Sequence, residues 1–163
     1  MLLLTRSLKL ELSGGKVESL MAGYLAMKAW PDVPDALRDL RRSGRKLVLL
    51  SNATATILDA GIHSAGLEGV FDDVISTDRI RTFKPDPRAY QLGIDVLALR
   101  KEEIMFVAFA GWDAAGAKWF GYPTFWNNRQ GGPLEELSAS PDGTGESLAE
   151  LVRLLGVRPA NIA

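Results

Sequence analysis

Apolar residues recur along this chain with two alternating periods. Val17, Leu20, Met21, Tyr24 and Leu25 repeat at helical spacing, which predicts an amphipathic helix over residues 16–28. Trp30-Pro31-Asp32-Val33-Pro34 breaks the pattern and places a boundary between two units at residues 29–31. Residues 34–43 predict a second helix, with Leu37 and Leu40 inward, Arg38, Arg41 and Arg42 outward, and Gly44 to end it. Lys46-Leu47-Val48-Leu49-Leu50 is an apolar run bounded by Gly44 and Ser51, the pattern of a parallel strand buried on both faces. A helix over 54–65 follows, carrying Ile57, Leu58, Ile62 and Ala65 and stopped by Gly66. Beyond it come a strand at 74–76, a helix over 87–98, a strand at 104–108, a helix over 114–120 ended by Gly121, and a strand at 123–126. Residues 130–145, rich in Gly, Ser and Pro, read as loop before a last helix at 146–155. Strands alternating with helices predict an α/β fold with a doubly wound parallel sheet. Ligands in such folds bind outside the carboxyl ends of the strands.

Composition narrows the chemistry. A length of 163 residues suits one domain, and a net charge of −1 offers no field for nucleic acid or an anionic membrane. There is no cysteine, so disulfides and thiolate metal sites are excluded. The single histidine, His63, falls on a helix face expected to be exposed, and one histidine does not build a His-rich metal site. The apolar run at residues 2–4 is too short for a signal segment or a membrane span, so a cytoplasmic location is the default expectation.

Three strand ends carry polar residues that the topology can bring together. Ser51, Asn52 and Thr54 follow strand 46–50, where they can bind an anion at a helix N-terminus or simply cap that helix. Asp78 and Lys84 lie in the loop after strand 74–76. In Lys84-Pro85-Asp86-Pro87 the two prolines fix their own φ angles and bias Lys84 and Asp86 away from helical geometry, so the cation sits on a stiffened loop. Trp112 and Asp113 follow strand 104–108, and Asp113 reads either as a helix cap or as a carboxylate orienting Lys84 or a water. Tyr90 stands one helical turn beyond the Lys84 loop, either packed or with its hydroxyl in the site. Trp112, Trp119, Phe120, Tyr122, Phe125 and Trp126 are expected mostly in the core.

Leu49-Leu50-Ser51-Asn52, Phe83-Lys84-Pro85-Asp86-Pro87-Arg88-Ala89-Tyr90 and the run from Gly111-Trp112-Asp113 to Thr124 occur in order and together resemble the haloacid dehalogenase superfamily, in particular its L-2-haloacid dehalogenase branch. Asn127-Asn128-Arg129 also resembles that branch. The resemblance runs from about residue 7 to residue 155 and implies a Rossmann-like parallel sheet with flanking helices. It further implies an aspartate nucleophile that displaces halide from an L-2-haloacid with inversion, followed by ester hydrolysis to a D-2-hydroxy acid. Under it Ser51 and the Asn52 backbone bind the substrate carboxylate, and Lys84 holds the nucleophile ionised and oriented. Tyr90 and Trp112 line the site, and Asp113 orients Lys84 and assists hydrolysis. The partner is a small carboxylate or haloacid, with no cofactor and no metal.

The chain also departs from that pattern. The Asp-x-x-Gly-Thr segment that carries the nucleophile, on a first and central strand between strands 46–50 and 104–108, is not found in the 163 residues, and Arg6 does not match the cap arginine that receives halide. Residues 1–29 are therefore expected to be a remnant of a helical cap and 30–163 a core without its first strand. Ala108-Phe109-Ala110 stands where the branch often has Ser-Ser-Asn, which removes a water-positioning carboxamide and leaves no acid near Phe109 for Mg²⁺. Three expectations follow: an N-terminally truncated hydrolase inactive by itself, a non-catalytic anion-binding module, or one part of a split hydrolase. A homodimer or a missing N-terminal fragment would cover the open strand edges.

Overall fold

The computed structural model describes residues 14–158, so the apolar run at 2–4 and Arg6 lie outside the described residues. Within it, each helix and strand expected from the hydrophobic pattern is present, with ends shifted by a few residues. Helix α1 (Gly14–Leu25) is followed by α2 (Val33–Arg42), strand β1 (Val48–Ser51), α3 (Ala55–Ser64) and β2 (Asp73–Ser76). A 3₁₀ turn at Thr77–Ile80 leads to α4 (Pro87–Leu97), then β3 (Phe106–Ala108), α5 (Gly111–Phe120), β4 (Thr124–Asn127), β5 (Gly143–Gly145) and α6 (Leu148–Leu154). The fold is α/β, with parallel strands between helices.

Strand β5 corrects the expectation that 130–145 is all loop. Gly-Thr-Gly carries no apolar run, and it becomes a strand only because it pairs with β4, Phe125 opposite Gly143 and Asn127 opposite Gly145. A side chain at either glycine would make its neighbours shift. A Cβ on Gly143 would lie 2.8 Å from a Leu154 methyl, and one on Gly145 would lie 2.7 Å from Glu150 Oε2.

Two parallel sheets form. β1 pairs with β2, Val48 opposite Asp73 through Ser51 opposite Ser76. β3 pairs with β4, Phe106 opposite Thr124, and β4 with β5. Among the described residues, the second edges of β1 and β3 have no strand partner. Burial reflects this. β4, paired on both sides, is buried throughout, whereas β1 is half-buried and Val107 on β3 is 40 % exposed.

Helical layers span both sheets. On one side Ala36, Leu37 and Leu40 of α2 and Leu151 and Val152 of α6 pack with Phe125, Leu67 and Leu47. On the other, Tyr90 of α4 and Ala117 of α5 enclose Tyr122 and Phe106. Phe106 and Tyr122 stack with centroids 5.6 Å apart, and Tyr90 meets Phe106 edge-on at 5.4 Å.

The apolar stripe of α1 does not enter this core. Leu20, Met21, Tyr24 and Leu25 are 43 to 52 % exposed, although the helix lies against α3. Helical periodicity here marks an apolar face without a covering layer in the described residues. The aromatic expectation divides similarly: Tyr122, Phe125 and Trp126 are buried, while Trp112 and Trp119 are exposed. No helix of the described residues is long and apolar enough to cross a membrane.

Candidate active site

The carboxyl ends of β1, β2 and β3 converge on Lys84. Pro87 starts α4 at its first turn, and Asp86 caps it by accepting the Arg88 N–H at 2.9 Å. Arg88 also grips the Asp86 carboxylate, holding its pKa well below the usual range. The segment carrying Lys84 is thus anchored at its C-terminal side.

Lys84 Nζ donates to Asp113 Oδ2 at 2.6 Å and to the Leu50 carbonyl at the end of β1 at 3.3 Å. Both side chains of the ion pair are about nine-tenths buried, at 10 and 9 % exposure. A cation and a carboxylate so desolvated need their remaining hydrogen-bonding capacity met. For Asp113 this comes from Tyr90, whose hydroxyl donates to Oδ1 at 2.8 Å. Tyr90 is fully buried; burial first, then the adjacent Asp113 charge and hydrogen bond, push its pKa well above that of a free tyrosine. It therefore remains a neutral donor. Tyr122 anchors Tyr90 in turn by donating to its backbone carbonyl at 2.7 Å. The third N–H of Lys84 has no hydrogen-bond partner among the described residues, while its ammonium lies 5.2 Å from the Phe106 ring centroid.

Asp113 is not a helix cap. The N-cap of α5 is Ala110, and Asp113 lies in the first turn with its carboxylate turned to Lys84. Nor does Ser51 or Asn52 cap α3, whose N-cap is Thr54 without a side-chain bond. The Ser51 hydroxyl accepts the Ala53 N–H at 3.1 Å, which leaves its proton available. Asn52 turns its carboxamide towards the Lys84 backbone. Trp112 lies beside Asp113, 43 % exposed, and Phe109 stands 53 % exposed at the end of β3. Asp78 points outward from the 3₁₀ turn, and His63 is exposed and paired with Glu68.

Two polar residues have partners that the sequence pattern does not signal. Thr77, fully buried just past β2, donates its hydroxyl to Asn52 at 3.2 Å; the strand-end rule that singled out Asp78 applied equally to Thr77. Asp32, expected only in the chain break at the cap-to-core junction, is the second. It makes a two-point ion pair with Arg129, at 2.8 and 2.9 Å, and accepts the Leu148 N–H.

A family model for haloacid dehalogenase-like hydrolases matches residues 5–121. This chain belongs to that family. It is 41 % identical to an (S)-2-haloacid dehalogenase of Pseudomonas sp. (strain YL) over 149 residues, covering 91 % of this chain and 64 % of the relative. Haloacetate dehalogenase H-2 of Moraxella sp. (strain B) is 39 % identical over 150 residues, 92 % of this chain and 67 % of the relative. The solved structure of the L-2-haloacid dehalogenase from Xanthobacter autotrophicus superposes with a TM-score of 0.82 at 29 % identity, covering 96 % of this chain and 71 % of that one. The chain spans 64 % and 67 % of the length of the first two relatives and as little as 57 % of another (S)-2-haloacid dehalogenase, of Pseudomonas putida. The segment matched by the family model, residues 5–121, includes both Lys84 and Asp113.

Proposed function

We propose that the Lys84 site is the lysine–carboxylate half of a 2-haloacid dehalogenase centre. It becomes competent when a strand from outside residues 14–158, carrying the nucleophilic carboxylate, lies between β1 and β3. The observation that carries this reading is the spare N–H of a buried lysine already fixed by Leu50 and Asp113, beside two unpaired parallel strand edges. A parallel strand placed there would extend both sheets into one and bring its carboxyl end to Lys84.

In the assembled centre that carboxylate attacks Cα of an (S)-2-haloacid, and the carbon–halogen bond breaks with its electron pair leaving as halide. Lys84 keeps the nucleophile ionised and aimed. The free proton of Ser51 and the backbone N–H of Asn52 hold the substrate carboxylate, with Trp112 beside it, while the buried Tyr90 supports the site through Asp113. Water then adds to the carbonyl of the enzyme ester, and its cleavage releases the 2-hydroxy acid and restores the carboxylate, one proton of the water going to the leaving oxygen and the other to solvent. Asp113 keeps Lys84 in place throughout. The names of the (S)-2-haloacid dehalogenase relatives support this substrate class.

The test is chloride release from (S)-2-chloropropionate by the purified chain, alone and with a polypeptide supplying an Asp-x-x-Gly-Thr strand. The 163-residue chain alone is expected to release none. The mixture is expected to turn over, and Lys84→Ala to lower its rate about a hundredfold or more. Turnover by the chain alone, or none with the strand demonstrably bound, overturns the proposal.

A further inference from the structure

The Asn52 carboxamide satisfies both backbone polar groups of one residue across a gap of 32 positions. Its Oδ1 accepts the Lys84 N–H at 2.8 Å, and its Nδ2 donates to the Lys84 carbonyl at 3.2 Å. Oδ1 also accepts the hydroxyl of the fully buried Thr77 at 3.2 Å. This two-point grip reproduces with a side chain the exchange of N–H and C=O that a neighbouring strand would provide. It lies beyond the last β1–β2 pair, Ser51 and Ser76, where strand pairing among the described residues has ended.

Neighbouring contacts reinforce the grip. Ser76 Oγ donates to the Ala53 carbonyl at 2.7 Å and accepts the Asp78 N–H at 3.2 Å. The Thr82 N–H returns to the Thr77 carbonyl, closing the loop that ends at Lys84. The β1 end therefore holds Lys84 at both ends of its side chain's reach. Asn52 fixes the backbone, and the Leu50 carbonyl receives the ammonium. Asp113, which follows β3 in the other sheet, takes the same ammonium. Lys84 thus links the two sheets, with Asn52 setting where that link starts.

We infer that Asn52 is a positioning residue: its side chain holds the Lys84 backbone so that the ammonium reaches Leu50 and Asp113 together, with Thr77 fixing the orientation of the carboxamide. This rests on the reading of Lys84 as the working cation of the site and adds a residue that acts through it. The Thr77 hydroxyl has a proton to give, so the atom it bonds is the carboxamide oxygen when that atom also takes the Lys84 N–H. An Asn52→Asp side chain keeps the acceptor and loses the donor. Asn52→Ala loses both.

The experiment reads Lys84 directly and needs no turnover. Limiting acetic anhydride is applied to the whole chain, and acetylation is followed lysine by lysine by peptide mass spectrometry, alongside amide exchange at Lys84. In the unaltered chain Lys84 should react slowly beside the exposed Lys16. Asn52→Ala should raise its acetylation about tenfold, the factor for losing one or two ordinary hydrogen bonds, and release its amide to exchange. Lys101, held by the Phe120 carbonyl at 3.1 Å, should be unchanged. Asn52→Asp should keep the amide protected and give an intermediate acetylation rate, and it carries the test if the alanine variant does not fold. Unchanged Lys84 reactivity, or an equal rise at Lys101, overturns the inference, since the latter would make Asn52 a general stabiliser. Absence of chloride release with these results intact would instead fall on the dehalogenase reading.

Discussion

At the scale of single residues, the site is a chain of buried groups in which each depends on the next. Asp113 accepts Lys84 on one oxygen and Tyr90 on the other. Gly116, one turn along α5, makes room for this. A Cβ there would lie 2.5 Å from Tyr90 Oη and 2.8 Å from Pro85 Cβ, so a larger residue would push the phenol off Asp113. Removing the hydroxyl leaves one oxygen of a buried carboxylate without its donor. Tyr90→Phe is accordingly expected to cost about 2 kcal/mol in a denaturant unfolding measurement at pH 7. The pH dependence has a definite sign. Burial and Asp113 raise the folded-state pKa of Tyr90 above the ordinary value of about 10, so its contribution is complete below that pH. As pH rises further, the unfolded state gains by ionising and the contribution is lost. The deficit of Tyr90→Phe should therefore shrink above pH 10. A deficit constant from pH 7 to 11 would show that folding does not raise the Tyr90 pKa, and a deficit near zero at pH 7 would show that the hydroxyl contributes nothing to the network.

At the scale of elements, local pattern read well where an element is stabilised by its own sequence and poorly where a distant partner decides. The apolar runs Leu47–Leu50 and Ile104–Ala108 announced β1 and β3, and Pro87 with Asp86 announced the start of α4. The convergence of Ser51, Asn52, Lys84 and Asp113 followed from strand-end topology. Strand β5 was not legible, because its Gly-Thr-Gly is a strand only beside β4. The α1 stripe was legible as a helix but not as an exposed one, since periodicity reports a face and not its cover. Least legible was the Asp32–Arg129 pair, which joins residues 97 apart. It ties the segment entering α2 to the loop after β4 and to the first turn of α6, with the Arg129 guanidinium also 5.3 Å from the Trp30 ring. The Arg129 side chain is 8 % exposed and that of Asp32 23 %. Asp32→Ala would leave the buried guanidinium unpaired, at an expected cost of about 3 kcal/mol. Asp32→Asn should cost less, because its amide oxygen still accepts the Leu148 N–H. The hydrogen bonds from Arg129 lower the folded pKa of Asp32 below its ordinary value of about 4. Its contribution is thus present above that value and lost as pH falls through the lower folded pKa. Thermal unfolding at pH 7 and pH 3 checks this: the gap between the original chain and Asp32→Ala should narrow at pH 3. A gap of equal size at both would mean that the carboxylate charge is not what holds the junction.

At the scale of the whole molecule, the two sheets share helical layers without sharing a strand. Residues in or next to β1, β2, β3 and β4 enter one apolar cluster, Leu47 and Phe71 from beside the first sheet with Met105 and Phe125 from the second. Lys84 adds a polar tie across the carboxyl ends. Between these contacts lie two rows of backbone groups facing no strand among the described residues. Unpaired parallel edges with apolar side chains are unfavourable in water and invite pairing. Protection against hydrogen exchange should consequently be unequal among strands that look alike in sequence. Amides of β4, bonded on both sides and buried, should open only with the global transition. Amides of β1 and β3 directed at the free edges should exchange much faster in the chain alone. Binding of a strand between them should slow those amides by at least about tenfold, each gaining a backbone partner, and leave β4 nearly unchanged. Exchange mass spectrometry on the segments 46–52, 104–109 and 122–128, with and without an added strand, reads the three strands separately. If 104–109 is as protected as 122–128 before anything is added, the edges are already covered and the gap is not a binding slot. If the added strand slows β1 but not β3, it pairs with one sheet and leaves the other open, and the two edges would then be tied at their carboxyl ends through Lys84 and not through the strand.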